Sequence, residues 1–171
     1  MLAARAMAQP PVTEVRLPPP SDTVIFRWDR LGSVAVPGAV EQPVLLLHAD
    51  GRYSVPPRTL GGERVTGRLS SAELHALLTD ILVRQRFTSL NSDAIEAQIR
   101  AQAQTRGLLL RLRDGGVTRL ELRLPGVHHT VALANAHAAY QQFPQIEALQ
   151  RLHAIQQRLL VLVEPSQPPA R

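Results

Sequence analysis

A chain of 171 residues with 44% hydrophobic content can bury a sizeable core, and at 4% aromatics that core has to be built from Leu, Val, Ile and Ala. It has no cysteine, which excludes disulfides, thiol catalysis and cysteine-ligated metal sites, and its longest apolar runs, such as Val44 to Leu47, fall far short of a bilayer span. All 19 basic residues are Arg and the net charge is +5, but the charge is spread: 8 Arg and 6 acids lie in residues 1–69, 11 Arg and 8 acids in residues 70–171, with no basic run to mark a nucleic-acid or lipid surface.

Ala6-Met7-Ala8 before Gln9 has the small-x-small form of a signal-peptidase site, with Arg5 ahead of it. Upstream there is no room for an apolar core of the usual length. One reading is a start inside a longer signal peptide, with Gln9 as the mature end. The other is an Ala-rich start on a cytoplasmic protein. Export, periplasmic or secreted, is the expectation. Residues 9–22 hold five prolines and almost no apolar periodicity, so residues 1–22 read as a processed or flexible Pro-rich segment. Residues 164–171 read as a flexible tail, leaving a single domain over 23–163.

Within that domain, Val24, Phe26 and Trp28 alternate with Ile25, Arg27 and Asp29, the pattern of a half-buried strand. Gly32 to Gln42 is a loop. Pro43 to Ala49 is apolar on both faces and belongs inside a sheet. Asp50-Gly51 predicts a tight hairpin returning through Arg52 to Val55, and Glu63 to Arg68 an edge strand. Ser70-Ser71-Ala72-Glu73 is a capping box, and Leu74, Leu77, Leu78, Ile81 and Leu82 behind it follow one helical face. Phe87 drops back into the core. Ser92 to Gln104 is a helix with a narrow stripe of Ile95, Ile99 and Ala103, ended by Gly107. Leu108–Leu112, Leu120–Leu124 and Val127–Leu133 form a three-strand meander turned at Asp114-Gly115-Gly116 and Pro125-Gly126. Asn135 to Phe143 is a short helix. Pro144, at a first helical position, opens a long one to about Val163. The fold class is therefore α+β: an antiparallel sheet of two hairpin or meander units, packed by two long amphipathic helices and one or two shorter ones.

No segment carries a constellation that names a reaction. His128 and His129 are adjacent on a strand, so their imidazoles point to opposite faces and cannot share an ion. Ser70 is explained by its cap and Asp50 and Asp114 by their turns. No nucleophile elbow exists, and Leu60-Gly61-Gly62 lacks the residues of a phosphate loop. The chain is expected to be no enzyme and to use no cofactor or metal. One surface stands out: Arg111, Arg113, Arg119 and Arg123, with Glu121 among them, should line the outer face of the second hairpin. It is either a solvated sheet face paired to Glu121 or a docking surface for an acidic partner.

Phe26-Arg27-Trp28-Asp29-Arg30-Leu31-Gly32, Ala49-Asp50-Gly51-Arg52, Gly67 to Leu74 with Phe87 beyond, and Pro144 to Leu152 resemble a loosely defined set of uncharacterised, often exported bacterial α+β domains. The resemblance covers most of residues 23–163 and implies no activity. The layout is also similar to emfourin, a bacterial protein inhibitor of thermolysin-type metalloproteases, from which it departs by the Ser92–Gln104 helix and the Val127–Leu133 strand. No inhibitory residue carries over. The leading expectation is a non-catalytic, extracytoplasmic protein-binding domain, inhibitor-like in kind, whose partner is another protein. Alternatives are an accessory subunit of a larger assembly and a basic nucleic-acid binder. The latter is disfavoured, because the Arg-bearing face has no aromatics on which bases could stack.

Overall fold

The computed structural model describes residues 15–32, 43–57, 63–108 and 116–163. Among the described residues there are six strands: β1 (Val24–Leu31), β2 (Leu45–His48), β3 (Arg52–Val55), β4 (Val65–Arg68), β5 (Val117–Leu124) and β6 (Val127–Ala134). They form one antiparallel sheet in the order β4-β3-β2-β1-β5-β6, so the two hairpin units are fused through β1. The helices are α1 (Ser71–Thr79), α2 (Ser92–Thr105), α3 (Ala136–Gln142) and α4 (Glu147–Val163). The fold is α+β, as the sequence predicts. Among the described residues no helix is long and apolar enough to cross a membrane.

One face of the sheet makes the core. Phe26 and Trp28 of β1 stand beside Leu45 and Leu47 of β2 and Leu120 and Leu122 of β5, all fully buried, and the helical stripes join the same cluster. The capping box forms as read: Ser70 Oγ accepts from the Glu73 amide, while the Glu73 carboxylate takes the Ser70 N–H at 2.8 Å. Leu74, Leu77, Leu78, Ile81 and Leu82 are all buried. The last turn after α1 widens, with the Gln85 N–H bonded to the Asp80 carbonyl, and Arg86 adopts a left-handed conformation that turns Phe87 inward. Phe87 meets Phe26 and sits edge-on to His129. In the β2–β3 hairpin Gly51 has φ +83°, and a Cβ there would collide with the Leu69 carbonyl.

Three expectations change, and a fourth lies largely outside the described residues. The long final helix starts at Glu147; Pro144 and Gln145 form the turn ahead of it, because Phe143 and Ile146 are both drawn into the core. The strand expected at Leu108–Leu112 lies, but for Leu108, outside the described residues, and β5 lies between β1 and β6. The segment read as a tether to Asp22 is described from Val15: Val15 is buried, Leu17 packs against the core, and the Ser21 and Thr23 carbonyls accept from the Asp50 and Ala49 amides. Finally, β1 buries both faces at two positions, since Ile25 and Asp29 are as inaccessible as Phe26 and Trp28.

Candidate functional site

The second face of the sheet carries the charge. Alternation along β5 sends Arg119, Glu121 and Arg123 to this side, and the register sets Glu121 opposite Arg27 and Arg119 opposite Asp29 on β1. On β6, His128 lies opposite Arg123. Between β1 and β5 opposite charges thus face one another, the arrangement that stabilises a sheet surface.

Glu121 is the hub. Its Oε1 accepts from Arg123 Nε at 2.7 Å and bonds His128 Nε2 at 3.0 Å, while Oε2 accepts from Arg119 Nη2 at 3.2 Å. Arg123 Nη2 also reaches Oε1 at 2.6 Å. Burial pushes the Glu121 carboxyl up, but the bonds from His128 and Arg123 and the charges of Arg123 and Arg119 outweigh it, so the group is held below the ordinary glutamate value. Alongside, Arg27 Nε donates to both oxygens of Asp29, at 2.9 and 2.8 Å, and that bond raises the Arg27 guanidinium above its usual value.

The cluster is layered. Its carboxylates lie underneath, with side chains only 3% (Asp29) and 6% (Glu121) exposed, while the Arg27 and Arg123 side chains are 45% and 64% exposed. Solvent therefore meets guanidinium. Beside them a pocket of about 180 Å³ is lined by Val24, Ile25, Arg27, Leu46, Glu121 and Arg123. An irregularity in the β1–β2 ladder between Val24 and Phe26 helps to build it, since a bulge re-aims side chains and both Val24 and Ile25 line the pocket.

Of the residues expected here, Arg119 and Arg123 are brought together around Glu121, whereas Arg111 and Arg113 lie outside the described residues. Arg27, Asp29 and His128 belong to the cluster although no local pattern assigns them to it. Their alternation was legible; the β1–β5 pairing that delivers two of them was not. His129 points the other way, its Nε2 at 2.8 Å from the Leu90 carbonyl, so the two neighbouring imidazoles do diverge. Among the described residues no three His, Asp or Glu side chains gather in a way that could hold a metal ion. With about four acceptor sites on a carboxylate and its proton affinity lowered, Glu121 is suited to fixing arginines and is a poor general base.

Comparison with known proteins yields no match: no family model fits the chain, and no curated protein or solved structure is significantly similar to it.

Proposed function

We propose that this chain is a non-catalytic protein-binding domain that works outside the cytoplasm, with the charged sheet face as its contact surface. One observation supports the reading above others: a pocket with an apolar side at Val24, Ile25 and Leu46 and half-exposed, pre-positioned guanidiniums coincide on that face. Protein contacts favour this combination of an apolar centre with a polar rim, and arginine is enriched among the residues that dominate binding energy. The compartment rests on the Ala6-Met7-Ala8 pattern. An inhibitor-like role, suggested by the emfourin layout, would be one form of the same activity.

The test compares the tagged wild-type chain with a Leu46→Glu variant, each exposed to periplasmic and to cytosolic extract. A discrete partner retained from the periplasmic extract by the wild type and lost by the variant is expected. Capture indifferent to Leu46→Glu, or turnover of a substrate by the purified chain, overturns the reading. A stoichiometric loss of thermolysin-type protease activity in the presence of the chain would establish the inhibitor form.

A further inference from the structure

The chemistry of the pocket points to the partner's chemistry, on the premise that the chain binds protein through this face. We propose that the pocket receives an acidic segment of the partner, with one aliphatic or aromatic side chain over Val24 and Leu46 and a neighbouring carboxylate on Arg27 and Arg123.

Three features carry this. The first is the layering: both acids are beneath the surface and both arginines above it, so the field presented to a ligand is cationic although the ions are paired. The second is order. Asp29 grips Arg27 through Nε, and Glu121 grips Arg123 through Nε and one Nη. A guanidinium has five N–H donors in a rigid fork, so donors remain on each while its rotamer is already set. Binding a carboxylate then orders little that is not ordered beforehand. The third is the apolar lining. A volume of about 180 Å³ compares with the roughly 150 Å³ cavity that accepts benzene, which is room for one medium side chain beside Val24, Ile25 and Leu46. Phosphate-rich polymers have no use for such a lining. Among the described residues, the side chains that β1, β2, β5 and β6 send to this face include no Phe, Tyr or Trp on which bases could stack.

The probe is a fluorescein-labelled peptide of alternating Glu and Leu, compared by anisotropy with its Gln-for-Glu counterpart and with a short single-stranded DNA. The full chain should bind the Glu peptide at least about tenfold more tightly than the Gln peptide, with affinity falling as salt rises. Arg123→Glu and Leu46→Glu should each weaken binding about tenfold or more. Arg123→Gln does the same without placing a second carboxylate beside Glu121, and an unchanged melting curve shows that it is folded. The Val24 and Leu46 methyl resonances should shift on titration. Equal binding of both peptides, tighter binding of the DNA, or indifference to Arg123→Gln overturns the proposal. A captured partner that the peptide does not displace and that survives Arg123→Gln also overturns it, yet leaves the protein-binding role standing; the absence of any partner removes both.

Discussion

On the helix-covered side of the molecule, Arg151 of α4 reaches across to the connector after α1, where its Nε donates to the Gln85 carbonyl and its Nη2 to the Arg86 carbonyl and Ser89 Oγ, all at 2.7 Å. On the charged sheet face, Arg123 is held by a single carboxylate and leaves most of its side chain in water. Arg151 is only 18% exposed, and burial lowers its pKa. The first arginine satisfies the Gln85 carbonyl at the widened helix end and adds a bond to the Arg86 carbonyl, which also accepts from the Ser89 amide and hydroxyl. The second satisfies one acid and presents its remaining donors outward. The difference teaches that arginine here serves two ends, fold closure where it meets backbone and recognition where it meets a buried acid.

Substitutions can break or sharpen that contrast. The largest effect is expected from Arg151→Leu, which removes three charge-assisted bonds and strands the Gln85 carbonyl: a loss of roughly 3 kcal/mol by chemical denaturation and about 6–12 °C in the melting midpoint. Peptide binding at the sheet face should survive it under conditions where the protein remains folded.

Glu121→Gln comes next, at about 1–2 kcal/mol near neutral pH. Since the folded pKa of Glu121 lies below its unfolded value, its contribution is complete above the unfolded pKa of about 4.5 and is lost as pH falls through the lower, folded value. Stability curves of wild type and variant should therefore converge towards acid pH. Parallel curves would show that Glu121 carries no special charge coupling.

Arg123→Gln should change stability by no more than about 0.5 kcal/mol, as its guanidinium is mostly in water and Glu121 keeps Arg119 and His128, while abolishing most peptide binding. A large loss of stability would move Arg123 into the same class as Arg151. The smallest effect belongs to His153, stacked on Tyr140 with centroids 4.0 Å apart and held below its ordinary pKa by burial and by the neighbouring His137. Its contribution is full above the unfolded pKa of about 6.5 and declines as pH falls below it. His153→Phe keeps the stack and should flatten that decline by under about 1 kcal/mol between pH of about 7 and 5.

How much of this was legible varies by residue. The Ser70–Glu73 box and the Leu74–Leu82 stripe were readable because their partners lie within two turns of one another. Asp50-Gly51 was readable because the three-residue loop from Ala49 to Gly51 demands positive φ at its last position, which Gly51 supplies. Pro144 misled by three residues: the rule for proline at a helix start is sound, but Ile146 is buried and its carbonyl receives the first bonds of α4, so the turn before it is fixed by packing. At the candidate site, the Arg119-Glu121-Arg123 face could be read from alternation along a single strand. Arg27, Asp29 and the Ile25–Leu46 pocket could not, because they depend on which strand lies next to which.

The sequence alone determined most of the described elements, the face each presents to the core and the caps and turns that bound most of them, for those rest on φ preferences and on side-chain periods of 2 and 3.6. Only the tertiary structure decided that β1 stands at the centre of one sheet, between β2 and β5. Strand neighbours are chosen by complementarity between segments about ninety residues apart, here Arg27 with Glu121 and Asp29 with Arg119, and no local pattern encodes that choice.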